Sequence, residues 1–296
     1  MSGSESSESG TGRSVLAIVV AVLVGAAAAV AGSAGGLRIG GWPVFALCTA
    51  VAYLINWVAF VPAWLRRTER FYDLTGTLTY LTVVVIALVA GSRSSVAMVL
   101  GILVAVWALR LGSFLVRRIR REGTDRRFDR IKQDPAQFLV TWTLQALWVV
   151  LTAGAALAAM TSATESRFGL IGVVGIVVWL VGFGIEAAAD DQKRAFRADP
   201  ANRGRFITTG LWAWSRHPNY FGEITLWVGV ALVALPALSG WQYLTLVSPL
   251  FVTLLLTRVS GVPLLEVRGQ ATWGDDSEYH DYVARTPVLV PRPPRR

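Results

Sequence analysis

Eight long apolar stretches limit the folds that this chain can adopt. They lie near residues 14–36, 42–64, 74–91, 95–116, 137–160, 168–188, 221–238 and 241–257. Most contain about the 20 residues that an α-helix needs to cross the hydrocarbon core of a bilayer. Because the bilayer offers no water to backbone polar groups, such segments satisfy their hydrogen bonds as helices. The pattern therefore predicts an all-α protein, a polytopic transmembrane helical bundle of about eight spans.

The composition agrees with a membrane protein, since 54% of the 296 residues are hydrophobic and only 16% are charged. The formal net charge of +9 could indicate nucleic-acid binding, but no recognition module accompanies it. We expect the basic residues to contact anionic headgroups instead, with the lipid bilayer as a partner and no nucleic acid. The single cysteine excludes an internal disulfide, and the two isolated histidines predict no metal site.

The distribution of Lys and Arg predicts the orientation of the spans. With the N-terminus inside, the inner segments 1–13, 65–73, 117–136, 189–220 and 258–296 hold 24 basic residues. The outer loops hold only Arg38, Arg93 and Arg167. Because basic residues concentrate in cytoplasmic loops, we expect both termini in the cytoplasm and a multi-pass location in the cell (inner) membrane.

We expect residues 14–290 to form a single transmembrane catalytic domain. Residues 1–13 are rich in Ser, Gly and Glu and should be disordered. The Pro/Arg-rich C-terminus, including the basic tail 291–296, should lie along anionic headgroups. A cleaved signal peptide is the alternative for the first span, with Ala29-Val30-Ala31 as the cleavage site, although the preceding residues carry two Glu against one Arg.

The segment 186–223, between the sixth and seventh spans, is densely polar and aromatic. Glu186, Asp190, Arg194 and Arg197 are spaced four, four and three residues apart. This spacing places them on one face of a helix that leaves the membrane. An ordinary solvated face with ion pairs is the alternative interpretation.

A turn around Pro200 and Gly204 follows this helix and presents Asn202, Arg203 and Arg205. Further along, Pro218 suits the first turn of another helix, whose backbone N–H groups would point at an anion. The arginines expected to hold phosphate are Arg197, Arg205 and Arg216. The aromatic residues expected to stack on a ring are Trp212, Trp214 and Tyr220. For the two Trp residues, an interfacial aromatic belt is the alternative.

Four motifs in this half of the chain carry a family resemblance. They are D-x-Q-K-x-x-F (Asp190 to Phe196), P-x-N-x-G (Pro200 to Gly204), G-L-W-x-x-S-R-H-P-N-Y-F-G-E (Gly210 to Glu223) and S-G-V-P-L-L-E (Ser260 to Glu266). Together they resemble the bacterial DUF1295 family, which is related to the C-terminal domain of steroid 5-alpha-reductases. The resemblance covers most of the chain after about residue 45. It implies an all-helical membrane reductase that uses NADPH to reduce a carbon–carbon double bond conjugated to a carbonyl.

The resemblance also implies where the cofactor binds. It places Asp190, Arg197, Arg205, Asn219 and Glu223 on cofactor-binding segments, with His217 and Tyr220 beside them. The full set of expected cofactor-binding residues is Asp190, Arg194, Arg197, Asn202, Arg205, Arg216, His217, Asn219, Tyr220 and Glu223. No Gly-x-Gly-x-x-Gly follows a strand, so the nucleotide would be bound outside a Rossmann fold.

The expected catalytic residues are Tyr72, Asp73 and Arg110. Tyr72-Asp73 falls where the reductases carry a Gln-Glu pair, and Trp107 falls where the steroid enzymes use a catalytic Tyr, which leaves steroid specificity and the proton donor open. For Asp73 the alternative is an N-terminal helix acid favoured by the macrodipole. Arg110 lies within the fourth span, where an unpaired cation is costly, so it should be functional or paired in the bundle.

The leading hypothesis is thus an NADPH-dependent reductase of an apolar enone that enters from the lipid. The Arg-His-Pro-x-Tyr motif at 216–220 is also shared with isoprenylcysteine and phospholipid methyltransferases, which use S-adenosylmethionine. A sulfonium cofactor has no phosphates, however, and the segment is rich in arginines suited to phosphate. A transporter or scaffold would show scattered intramembrane polar residues or an inverted repeat, and the sequence shows neither.

Overall fold

The computed structural model describes residues 2–122 and 128–294, and these are mostly helical. The α-helices in this part are α1 (Ser2–Gly32), α2 (Val44–Leu65), α3 (Tyr72–Ala90), α4 (Ser95–Glu122), α5 (Pro135–Thr152), α6 (Gly154–Met160), α7 (Leu170–Ala198), α8 (Pro218–Ala234), α9 (Ser248–Leu254), α10 (Val262–Trp273) and α11 (Ser277–Arg285). Short 3-10 segments cover Ile131–Gln133, Pro200–Asn202, Gly210–Ala213, Leu235–Ala237 and Gly240–Val247, and Leu255–Val259 forms a π-helical turn. A two-stranded antiparallel hairpin pairs β1 (Arg38–Ile39) with β2 (Trp42–Pro43).

Within the described residues, eight helical segments are long and apolar enough to cross a membrane. They are Thr11–Gly32, Val44–Leu65, Tyr72–Ala90, Ser95–Arg117, Pro135–Thr152, Leu170–Ala198, Pro218–Ala237 and Gly240–Trp273. The all-α class and the predicted number of spans are confirmed, and the chain is a multi-pass membrane protein.

Two spans differ from their predicted bounds. The stretch 137–160 divides at Ala153, whose ψ of 1° leaves the helical range, into α5 and the fully buried α6. The eighth span extends to Trp273 instead of ending near residue 257, with an interruption at Ser260 and Gly261 before α10 begins. The sequence around Ala153 is continuously apolar, so an apolar count does not detect the break there.

The chain forms two compact units, of which the first contains residues up to 172 together with 233–248. In this unit α2 packs on α3 and α5, α1 packs on α5, and α3 packs on α4. Asp134 begins α5 by accepting hydrogen bonds from the backbone N–H groups of Ala136 (2.8 Å) and Gln137 (3.2 Å). An aromatic cluster that includes the buried Phe138 and Trp142 fills the space near this helix start.

The second unit contains residues 173–232 and those from 249 onward. Its α7 and α8 approach so closely that glycine is required where they meet. A Cβ atom on Gly222 would lie 2.5 Å from the backbone nitrogen of Glu186, and one on Gly229 would lie 2.5 Å from that of Trp179. Such close backbone packing through small residues is typical of membrane helices.

Candidate cofactor site

A cavity of about 460 Å³ lies in the second unit, between the end of α7, the 199–217 loop, α10 and α11. Its basic lining residues are Lys193, Arg197, Arg203, Arg205, Arg216 and Arg268. Its aromatic lining residues are Phe196, Phe206, Trp212, Trp273, Tyr279 and Tyr282. Among the described residues, Glu266 is the only carboxylate in the lining. Six cations against one carboxylate produce a strongly positive enclosure, which suits a ligand with several negative charges.

Glu266 on α10 binds the two adjacent residues that precede α8. One carboxylate oxygen accepts a hydrogen bond from Arg216 Nη1, and the other lies 2.8 Å from His217 Nε2. An ionised carboxylate only accepts hydrogen bonds, so Nε2 carries the proton and Nδ1 is an acceptor. Burial lowers the pKa of His217 below its ordinary value, although the hydrogen bond to Glu266 opposes this shift. The imidazole is therefore neutral at neutral pH.

Two polar atoms of this cluster lack a protein partner in the described part of the chain. Arg216 Nε and His217 Nδ1 are both buried and make no hydrogen bond there. One is a donor and the other an acceptor, and both belong to residues of the cavity wall. Buried polar groups without partners are costly, so these two atoms mark the least satisfied part of the cavity wall.

Trp212 and Lys193 form the inner wall near α7. Lys193 Nζ lies 4.2 Å from the centre of the Trp212 ring, and Trp212 Nε1 donates to the carbonyl of Ala189 at 3.0 Å. One face of Trp212 is therefore already covered by a cation. Trp214, by contrast, is 44% exposed and is not part of the cavity wall.

Three of the six aromatic side chains that line the cavity come from α10 and α11. Phe206 packs against Trp273, Tyr279 and Tyr282 with ring centres 5.2–5.7 Å apart. Tyr282 also donates its hydroxyl to the carbonyl of Trp212 at 2.8 Å. Of the three predicted ring-binding residues, Trp212 lines the cavity, whereas Trp214 and Tyr220 do not. A local sequence pattern could not reveal the aromatic residues that α10 and α11 add.

Hydrogen bonds from two sides hold the arginine-bearing turn. Asn202 Nδ2 donates to the carbonyl of Phe196 at 3.1 Å, and Trp273 Nε1 donates to the carbonyl of Gly204 at 2.6 Å. Gly204 has a φ of 81°, a left-handed conformation that favours glycine. These contacts place Arg203 and Arg205 on the cavity wall.

Five of the ten predicted cofactor-binding residues line the cavity, namely Arg197, Asn202, Arg205, Arg216 and His217. Arg194 is outside the lining: its side chain is 57% exposed and pairs with Asp191 at 2.9 Å. For this residue the solvated-face interpretation describes the structure better. Arg194 lies only three positions before Arg197 on α7, but its side chain is exposed to solvent.

Of the other four predicted residues, Asp190 lies on α7, and Asn219, Tyr220 and Glu223 lie in the first turns of α8. Asn219 Nδ2 donates to Asp190 Oδ1 at 3.2 Å, which joins α8 to α7. Tyr220 stacks on His217 with ring centres 5.6 Å apart. Glu223 is half-buried one turn further along α8. The helix begins at Pro218, as predicted.

Several residues of the cavity wall were not on the predicted list. Lys193 and Glu266 both lie in the motifs that carry the family resemblance, so the sequence did contain a signal for them. Arg268, Phe206, Tyr279 and Tyr282 carry no such signal, because they reach the cavity only through the packing of α10 and α11.

The predicted catalytic residues lie in the first unit. Tyr72 begins α3, is 8% exposed, and donates its hydroxyl to the carbonyl of Thr141 at 3.1 Å. Asp73 is half-buried in the first turn of α3, where a carboxylate complements the helix macrodipole. Arg110 is half-buried on α4.

The register between α3 and α4 fixes the depth of Arg110 relative to Asp73. Tyr80 packs edge-on against Trp107 with ring centres 5.1 Å apart, and Thr77 lies against Gly112. Arg110 is therefore level with residues 77–80, about one to two helical turns inward from Asp73.

Three relatives, all from fungi, show similarity to the chain. An uncharacterized protein of Schizosaccharomyces pombe is 25% identical over 214 residues, which is 61% of this chain and 62% of that protein. A Delta(14)-sterol reductase of Ascobolus immersus is 38% identical over 71 residues, 19% of this chain and 16% of the reductase. A probable O-methyltransferase of Ustilaginoidea virens is 33% identical over 85 residues, 26% of this chain and 30% of that protein.

The chain thus spans less than two thirds of the length of each of these relatives. Their fungal origin gives no support for restricting the resemblance to bacteria. No solved structure matches the chain. The model of one family, described as "Protein of unknown function (DUF1295)", matches residues 59–286, and the chain belongs to that family.

Proposed function

We propose that this protein is an integral membrane reductase that uses NADPH to reduce a carbon–carbon double bond conjugated to a carbonyl. The substrate is an apolar, lipid-like or steroid-like molecule that enters from the bilayer. The observation that carries the proposal is the cavity with six basic residues and a single carboxylate in its described lining. NADPH carries a pyrophosphate and a 2′-phosphate, so it presents several negative charges to such a lining.

The residues of the cavity suit the parts of this cofactor. Arg197, Arg205 and Arg268 are placed to bind phosphate oxygens, and the aromatic wall offers faces for a ring. Arg216 adds a further guanidinium to the same lining. When bound, NADPH supplies a hydride.

Asp73 and Arg110 are the leading candidates for stabilising charge on the substrate carbonyl. As that oxygen becomes an enolate, a nearby proton donor or cation lowers the barrier. Tyr72 is the weaker candidate, because its hydroxyl hydrogen is directed at the carbonyl of Thr141.

The second candidate function is methyl transfer from S-adenosylmethionine. The similarity to a probable O-methyltransferase favours it, at 33% identity over 85 residues. The charge of the cavity argues against it, because a sulfonium cation would meet six like charges with only one carboxylate to offset them.

Titration calorimetry of the protein in mild detergent tests the proposal against this alternative. We expect NADPH to bind, NADH to bind more weakly, and both affinities to fall as salt rises, since charged contacts are screened. S-adenosylmethionine should not bind measurably. Binding of S-adenosylmethionine without binding of NADPH would instead establish the methyltransferase.

A further inference from the structure

The chain after α11 returns to the residues that precede α8. The segment 287–292, which we call the C-terminal strap, runs beside residues 214–216. The backbone N–H of Arg216 donates to the carbonyl of Pro287 at 2.9 Å, and the N–H of Arg292 donates to the carbonyl of Trp214 at 2.9 Å. The strap is thus fixed to this part of the loop by backbone hydrogen bonds at both of its ends.

Ser215 adds a connection at the centre of the strap. Its side chain is fully buried, and its hydroxyl donates to the carbonyl of Leu289 at 2.8 Å. The same oxygen accepts a hydrogen bond from the backbone N–H of His217 at 3.1 Å. One hydroxyl therefore joins the strap to the backbone of a residue in the cavity wall.

We infer that the C-terminal strap is part of the cofactor site and that Ser215 is a positioning residue that acts through Arg216 and His217. This inference rests on the proposed function. Arg216 and His217 line the cavity, and their backbone N–H groups are held by Pro287 and Ser215. Binding groups that are held in place before the ligand arrives lose less entropy on binding. Releasing the strap would give the Arg216-His217 segment freedom that the cofactor would then have to remove.

This role differs from that of a basic tail on the membrane surface. The strap contacts use backbone groups and one hydroxyl, and none of them depends on the charge of Arg292. A headgroup-binding tail would depend on its arginines, whereas a strap depends on the chain being present as far as residue 292.

Two truncations separate these roles. The first ends the chain after Thr286 and removes the strap. The matched control ends it after Arg292, which keeps the three strap contacts but removes Arg295 and Arg296. We expect the NADPH dissociation constant to rise about tenfold in the first variant, on the scale of one or two lost hydrogen bonds, and to stay unchanged in the control. Calorimetry determines the stoichiometry separately from the dissociation constant. Partial unfolding would therefore lower the stoichiometry and leave the dissociation constant unaltered.

Ser215→Ala is the second variant, and it decides the question if the shorter truncation does not fold. It removes the link between Leu289 and His217 and should weaken NADPH binding several-fold, again without a change in stoichiometry. An unchanged dissociation constant in the folded variant overturns the inference. Equal weakening in both truncations also overturns it, because it would assign the effect to the terminal charges.

Hydrogen–deuterium exchange distinguishes failure of this inference from failure of the proposed function. If the wild-type protein binds no NADPH, the proposed function fails, but the strap can still be tested by the exchange of the Arg216 and His217 amides. Faster exchange after truncation at Thr286 supports the strap as the element that holds this segment. Unchanged exchange shows that the segment is held without it and overturns the inference.

Discussion

Arg194 and Arg197 lie one helical turn apart on α7 and differ in their surroundings. Arg197 lines the cavity, whereas Arg194 is 57% exposed and pairs with Asp191. Replacing Arg197 or Arg205 by Ala should weaken NADPH binding by about 1.5–3 kcal/mol each, the scale of a charge-assisted hydrogen bond. Arg194→Ala removes the same charge from the same helix and should change binding by less than about 0.5 kcal/mol. Calorimetry at fixed ionic strength measures NADPH binding by all three variants. Equal losses of binding free energy would show that the arginines act only through general electrostatic attraction.

The same two residues show how far single positions can be predicted from sequence. Helical spacing placed Asp190, Arg194 and Arg197 roughly on one face, but a spacing rule cannot tell which residue on that face meets a neighbour and which meets water. Arg216 and His217 were recognisable as a pair. Their partner Glu266 was not predicted as such, since it follows about 50 residues later and meets them only when α10 packs against the loop.

At the scale of helices, the interface between α7 and α8 allows a test in which one helix carries the substitution and the other carries the control. A methyl group on Gly222 would lie 2.5 Å from Glu186 N and 2.6 Å from Gly182 O, and these backbone atoms cannot move aside as a flexible side chain can. We expect Gly222→Ala to push the helices apart, to cost about 1–3 kcal/mol and to lower the melting temperature in mild detergent.

Gly184→Ala is the control for this substitution. A methyl group on Gly184 would meet no atom within 4 Å, and alanine favours a helix by up to about 1 kcal/mol over glycine. This variant should therefore melt at the same or a higher temperature. A stable Gly222→Ala protein would mean that the two helices do not approach as closely as the structure shows.

Helices were predicted well where hydrophobicity alone defines them. The starts and ends of α2 and α3 and the start of α4 agree with the sequence to within a few residues, whereas α4 runs on to Glu122. The break at Ala153 was missed because the surrounding sequence is continuously apolar, and the extension of the eighth span to Trp273 was missed because residues 258–273 mix apolar and charged side chains. The course of residues 287–292 was missed for a similar reason: the strap is held by backbone hydrogen bonds, which leave no mark on composition.

For the whole molecule, the distribution of basic residues makes the orientation in the membrane testable. The segments predicted to be inside hold 24 Lys and Arg, and the outer loops hold three. The single natural cysteine, Cys48, is buried, so it should react little with a thiol reagent and need not be replaced. Single cysteines introduced at exposed loop positions therefore report the side of the membrane without a large background.

We expect Arg93→Cys and Arg167→Cys to react with a membrane-impermeant maleimide in intact cells, because both positions are exposed and lie in predicted outer loops. Arg130→Cys and Arg285→Cys are equally exposed but lie in predicted inner segments, so they should react only after the membrane is permeabilised. The physical reason is the higher cost of moving a segment dense in Lys and Arg across the membrane, which keeps such segments in the cytoplasm. Labelling of Arg130→Cys and Arg285→Cys in intact cells, with Arg93→Cys and Arg167→Cys protected, would show the opposite orientation. The cofactor cavity would then face away from the cytoplasm that supplies NADPH, and the proposed reductase would have no access to its reductant.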